Sequence, residues 1–294
     1  MKLRLGTRGS RLAWVQATGV AERIRKLSPG VGVEILPIKT TGDVRSEFGD
    51  EIPSEAGEFS SALEKSLVGQ EIDVAVHSAK DLPTRTHEAL TVGAYPERAD
   101  PRDAWVFRAG GQSKSSKWVG TESPRRRMFW SERNPGADFH NIRGNVDRRM
   151  ERCMEESGWQ GILLACAGID RLGGLRSGLE MERLAVEWMI PAPGQGALAV
   201  QCRKDDPRTL DLLRQLDDCG IRARVTAEKS FLCSWGGGCS ESLGAFAQIQ
   251  PNGTLHLRAG VRGRNGRPQR GVVEGPSSEG ELLGARLAEE MRRG

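Results

Sequence analysis

The segment VHSAKDLPT (Val76 to Thr84) sets His77, Ser78, Lys80 and Asp81 just past the apolar run Ile72 to Val76, with Pro83 stiffening the exit. A carboxylate carried there on a strand end can meet a ligand; the plainer reading is an Asp-Leu-Pro turn with surface polar groups. Two basic clusters, VGTESPRRR (Val119 to Arg127) and NIRGNVDRR (Asn141 to Arg149), each bring a glycine-containing turn and then arginines opening a helix. Backbone amides and guanidinium groups at a helix start make an anion site, against the plainer alternative of a solvated basic face. A nucleic-acid patch ranks low, because no aromatics interleave with these arginines and no binding module is recognisable. GGGC (Gly236 to Cys239) places a thiol in a glycine-rich loop, where exposure and nearby positive charge favour the thiolate, although a lone cysteine is more often a small buried hydrophobe. PAPGQGALAV (Pro191 to Val200) reads as a rigid turn with a close backbone approach, a candidate interdomain crossover.

The elements that must hold these groups follow from periodicity. Lys2 to Leu5 alternates, GTRGS turns, and Leu12, Val15, Val20, Ile24 and Leu27 repeat at helical spacing. Val33 to Lys39 predicts a second strand, Val44 to Gly57 a loop, Ser60 to Val68 a helix, and Ile72 to Val76 a buried strand. After a Pro/Asp-rich hinge at Tyr95 to Asp103 the strand–helix alternation resumes, which predicts a second α/β domain and largely parallel sheets. Ligands of such sheets bind at the carboxyl ends of the strands. The tail, with strands at Thr254 to Val261 and Gly271 to Glu274 and a helix at Gly280 to Arg292, forms a small α+β unit; no internal sequence repeat is visible.

Composition sets the frame. The 294 residues suit two or three domains, and 37% hydrophobic with 28% charged residues lies far from the signature of disorder. Net charge is only +4, yet 34 arginines stand against 9 lysines, so the cationic surface is guanidinium, the fork that suits carboxylate or phosphate. No apolar run approaches the roughly 20 residues needed to cross a bilayer, and no signal-like start is present, so a cytoplasmic protein is expected. Six scattered cysteines without a CxxC pair and four distant histidines predict free thiols and no metal site.

In chain order LGTRGSRLA, TTGD, VHSAKDLPT, VGTESPRR, IRGNVDRR, AGIDRLG, PAPGQGA and GGC resemble the porphobilinogen deaminase (hydroxymethylbilane synthase) family over essentially the whole chain. The resemblance implies an α/β fold of two periplasmic-binding-protein-like domains with an active-site cleft between them, plus a small α+β C-terminal domain carrying the cofactor cysteine. It implies boundaries of 1–96 with 195–212 for domain 1, 102–188 for domain 2 and 217–294 for domain 3. A dipyrromethane cofactor would be thioether-linked to Cys239, with Asp81 the catalytic carboxylate. Ser78, Lys80, Thr121, Ser123, Arg125, Arg126 and Arg143 would bind the cofactor, and Arg8, Ser10, Phe59, Arg149, Arg171 and Gln195 the substrate, with no metal. The implied reaction condenses four porphobilinogen molecules head to tail with loss of ammonia, then releases hydroxymethylbilane hydrolytically. A monomer is implied, without nucleic-acid or membrane partners. Charge develops on pyrrole nitrogens as ammonia leaves, which explains a carboxylate beneath them; acetate and propionate side chains explain the arginines.

The chain departs from the family pattern in places. Ser54, Glu55 and Ala56 stand in the stretch Ile52 to Glu64 where lysines are usual, Glu122 replaces a small hydroxyl residue, Arg11 a frequent proline, and Ser240 to Ser242 follow the cysteine in place of the usual sequence. Two rival functions are an inactive paralogue and a noncatalytic anion-binding module.

Overall fold

Strand β1 (Lys2–Arg8) enters a tight turn at Gly9 and Ser10, and helix α1 (Arg11–Leu27) follows with the Ser10 hydroxyl accepting from the Ala13 amide. Buried Ala13, Gln16, Ala17, Val20, Ala21 and Ile24 recur at three- and four-residue spacing, so one face of α1 lies on the sheet. The structure, a computed structural model, describes residues 2–39, 61–110, 117–156, 158–236 and 242–293. The chain divides into two compact units, Met1–Ala99 with Ala197–Arg222, and Asp100–Gly196 with Ala223–Gly294.

In the first unit β2 (Gly32–Ile38) and β3 (Val74–Ser78) run parallel to β1, and α2 (Ser61–Val68) precedes β3. Strand β4 (Leu90–Ala94) stands at the far side, and β10 (Leu198–Arg203), which arrives much later in the chain, lies antiparallel between β3 and β4. The described sheet therefore has the order β2-β1-β3-β10-β4. Leu3, Leu5, Val74, Val76, Leu198 and Val200 form its core with α1 and with α6 (Pro207–Arg214).

The second unit repeats this order. Strands β5 (Asp103–Arg108), β6 (Trp118–Gly120), β7 (Asp138–His140), β8 (Trp159–Ala165) and β9 (Leu179–Arg183) line up as β7-β6-β8-β5-β9, with β6 parallel to β7 and β8, and β5 antiparallel between β8 and β9. Thus β6, β7 and β8 correspond to β1, β2 and β3, while β5 plays the part of β10. Helices α3 (Pro124–Arg133), α4 (Val146–Glu155) and α5 (Cys166–Arg171) connect these strands. A repetition invisible in the residues is plain in strand order, because order is set by backbone pairing and chain connectivity, which many different residue sequences satisfy. The expected largely parallel sheets are in fact mixed: each receives one strand from the crossing chain, which runs against its neighbours.

The same unit holds a third, antiparallel sheet, β11-β12-β13 (Leu243–Ile249, Thr254–Arg262, Pro268–Pro276). Helices α7 (Cys219–Trp235) and α8 (Gly280–Arg293) contribute Phe231, Leu232, Leu283, Leu287 and Met291 to its core. The helices approach so closely at Gly284 that a Cβ there would stand 2.3 Å from the Ala227 carbonyl oxygen. The two α/β sheet bodies and the small α+β portion expected from the family resemblance are therefore present.

Candidate functional site

Parallel strands deliver their carboxyl ends to one edge of a sheet, and most of the predicted site residues sit at such ends. In the first unit, Arg8 closes β1 and Ser10 caps α1, while Ser78 closes β3 and a single 3-10 turn, Ala79–Asp81, carries Lys80 and Asp81. The Ala79 amide donates to the Ala197 carbonyl at 2.9 Å, so the turn is anchored by the strand that completes the sheet. Arg8, Ser10, Gln16, His77, Ser78 and Asp81 line a cavity of about 70 Å3 there. Gln16 donates from Nε2 to the Ser78 hydroxyl at 3.1 Å. It was not singled out from the sequence; the signal was one amide within an otherwise aliphatic helical stripe.

His77 is 7% exposed, and its Nε2 has no hydrogen-bond partner among the described residues. Burial pushes its imidazole down to about 4, against the raising influence of Asp81, so it is neutral at physiological pH. Asp81 itself is half-buried, as are Arg8 and Lys80. A buried nitrogen left open beside a carboxylate suits a polar ligand carrying both donors and acidic groups.

The second unit places its predicted residues at the equivalent strand ends. Thr121 and Ser123 follow β6; Ser123 caps α3, accepting from the Arg126 amide at 3.4 Å, and Thr121 Oγ1 accepts from the Ser123 amide at 3.3 Å. Arg143 and Arg149 follow β7, both half-buried, and Arg171 ends α5 after β8. Arg149 Nε donates to the Gly144 carbonyl at 2.8 Å, and Arg171 Nη2 to the Gly196 carbonyl at 2.9 Å. Glu122, flagged as a departure beside an anion site, forms an ion pair with Arg143 at 2.8 Å. A ligand carboxylate reaching Arg143 must therefore compete with a resident one.

Arg125 and Arg126 take a different course from the exposed anion site expected of a helix start. Both turn inward, 4% and 6% exposed, onto Asp103, which is 0% exposed at the start of β5. Arg125 donates to both Asp103 oxygens at 2.6 and 3.1 Å, and Arg126 Nε donates at 2.8 Å. Their remaining donors reach the carbonyls of Ile190 and Leu163. Burial alone would raise the Asp103 carboxyl, but the two guanidinium groups hold it far below the usual carboxylate range. Gln195 joins the cluster, donating to the Pro101 carbonyl at 2.7 Å and to Asp103 at 3.2 Å. The turn that carries it is held by buried Glu228, which accepts from the Gly194 amide at 2.7 Å and from the Ala247 amide at 2.8 Å. Asp103 escaped the sequence reading because an acid in a Pro/Asp-rich stretch looks like a turn residue.

Cys239 and Phe59 lie outside the described residues, as does most of the stretch Ile52 to Glu64. Of the described cysteines, Cys153, Cys166 and Cys202 are buried, and burial pushes their thiols up to about 11, 12 and 11. A thiol so placed is a poor nucleophile. Cys219 and Cys233 are exposed and free.

Comparison with known proteins adds the following. The family model for the porphobilinogen deaminase, dipyromethane cofactor binding domain matches residues 3–211, and that for the porphobilinogen deaminase, C-terminal domain matches residues 222–293. The porphobilinogen deaminase of Roseiflexus sp. (strain RS-1) is 38% identical over 290 residues, covering 98% of this chain and 94% of that protein. That of Brevibacillus brevis is 37% identical over 269 residues, covering 90% and 86%. Among solved structures, a periplasmic binding protein of Salmonella typhimurium is similar at 12% identity with a TM-score of 0.42, covering 73% of this chain and 91% of that one.

Proposed function

We propose residue roles and a course of reaction from one premise: the chain belongs to the porphobilinogen deaminase family, whose transferase activity uses a dipyrromethane cofactor. The chain condenses four porphobilinogen units head to tail on that primer and releases hydroxymethylbilane by hydrolysis. Cys239 anchors the primer through sulfur. The bound dipyrromethane supplies a pyrrole α-carbon nucleophile and, through its side chains, carboxylates for the protein to grip.

The residue roles follow from strand-end chemistry. Asp81 accepts hydrogen bonds from pyrrole N–H groups and stabilises the positive charge that develops there when ammonia departs. Ser78, Lys80, Thr121, Ser123 and Arg143 hold primer carboxylates, and Arg8, Ser10, Phe59, Arg149, Arg171 and Gln195 hold substrate. Arg125 and Arg126 belong to the cofactor set by sequence match; their contacts with Asp103 support a part in fixing the strand-end backbone beside Ser123. Neutral His77 leaves the charge of Asp81 undivided. The observation that carries the assignment is the polar pocket at the ends of β1 and β3, in which Arg8, His77 and Asp81 line one cavity.

The protein works as a cytoplasmic monomer in three domains, 1–96 with 195–212, 102–188 and 217–294, without nucleic-acid or membrane partners. Three separate sheets support the division, and no helix among the described residues is long and apolar enough to cross a membrane. Intact mass tests the whole proposal. The purified protein should carry an increment of two pyrrole units that Cys239→Ser lacks, and porphobilinogen should add a ladder of one to four further units. A loaded protein without that ladder would point to the inactive paralogue, and an unloaded, inert one to an anion-binding module.

A further inference from the structure

The β12–β13 hairpin ends in a tip, Gly263 to Arg267, beside the last turn of α8 and the end of α7. Trp235, Arg262, Arg264, Arg267, Met291 and Arg292 are among the residues lining a cavity of about 590 Å3 there, and no aspartate or glutamate among the described residues lines it. Arg292 is committed: Nη2 donates to the Ser234 carbonyl at 2.5 Å, and its guanidinium carbon lies 5.4 Å from the Trp235 ring centroid. The side chains of Arg262, Arg264 and Arg267 make no hydrogen bond or ion pair among the described residues. Other arginines of the same unit are matched, Arg270 with Glu132, Arg258 with Glu187 and Arg286 with Glu290.

The tip is rigid enough to hold these charges together. The Gly263 amide donates to the Arg267 carbonyl at 2.8 Å, the Arg267 amide to Asn265 Oδ1 at 3.0 Å, and Gly266 takes the left-handed φ of 77° that the turn requires. Like charges gathered without a counter-charge repel, and an anion relieves that repulsion. Guanidinium forks favour carboxylates in pairs, while Trp235 and Met291 offer a flat apolar surface beside them.

We propose that this cavity is a second anion site, which takes a polycarboxylate built on a flat apolar frame. Two sources have that chemistry: the tethered pyrrole chain, which rests on the function proposed above, and a free polycarboxylate acting from solution.

Titration calorimetry of the purified holoprotein with mellitate, a benzene ring bearing six carboxylates, tests the site. Three exposed contacts together should make the variant Arg262→Ser/Arg264→Ser/Arg267→Ser bind about tenfold more weakly than the unaltered protein. Arg8→Ser, which alters the strand-end pocket instead, should retain the binding that the triple variant loses. Equal affinity in the triple variant and the unaltered protein, or no mellitate binding at all, overturns the proposal. Intact mass under limiting porphobilinogen separates the sources: a changed adduct ladder in the triple variant assigns the tethered chain, and an unchanged ladder with lost mellitate binding assigns a free polycarboxylate. Absence of adducts in the unaltered protein would count against the proposed function and leave the calorimetric result standing by itself.

Discussion

Replacing Asp103 with asparagine removes the charge that two buried guanidinium groups share, while leaving side-chain volume nearly unchanged. Asp103 is fully buried and accepts from Arg125, Arg126 and Gln195, so the variant strands two cations that water cannot reach. Breaking a buried ion pair from one side costs about 3–5 kcal/mol, and a residual Asn carbonyl acceptor argues for the lower end, about 3 kcal/mol. Urea denaturation followed by tryptophan fluorescence reads this directly, because Trp105 and Trp130 pack 4.5 Å apart, centroid to centroid, in the adjoining core. The pH dependence has a definite sign. The folded-state carboxyl is depressed, so its contribution is complete above the unfolded value of about 3.9 and is lost only as pH falls through the folded value. The difference between the native protein and Asp103→Asn should thus be flat from pH 5 to 8 and shrink in stronger acid. A loss below about 1 kcal/mol at pH 7 would refute the reasoning, because the arginines would then have found other partners.

Asp81→Asn should lower turnover by about two to three orders of magnitude, the scale of one lost electrostatic group in a preorganised site, with the urea midpoint unchanged; steady-state assay and denaturation together check it. His77 has a folded value near 4 against an ordinary 6.5, so the native protein should lose stability, up to about 3 kcal/mol, as pH falls from 6.5 towards 4. His77→Gln should abolish that slope in melts recorded at pH 7 and pH 5. Glu122→Gln releases Arg143 from a partly exposed ion pair, and the KM for porphobilinogen should fall about two- to fivefold with kcat little changed.

What could be read from the residues was whatever a local pattern determines. The strand ends carrying Ser78 to Asp81 and Thr121 to Ser123 were legible because an apolar run breaks abruptly into turn residues at each. Strand β9 was not: its sequence LEMER lies at a sheet edge with one face to water, so few of its side chains are apolar. Strand β11, LGAFAQI, has glycine or alanine at buried positions 244, 245 and 247, where the β-branched residues that mark strands are missing. Gly244 shows why: a Cβ there would lie 2.4 Å from the Ile190 carbonyl oxygen. The inward turn of Arg125 and Arg126 was illegible for another reason. Their partner Asp103 stands on β5, and only the register of β5 against β8 brings it beneath α3.

The late arrival of β10 has a consequence for how the polypeptide is made. Strand β3 must wait for its antiparallel neighbour until residues 79 to 197 have been synthesised, on the order of ten seconds at roughly 5–20 residues per second. Through that interval the strand VAVHS has unpaired backbone N–H and C=O groups on that side, a template for mispairing. The Ala79 amide also lacks its acceptor at Ala197 until then. A ribosome-bound fragment shorter than this therefore holds the turn of Asp81, the proposed catalytic carboxylate, in its sequence but not yet in its shape.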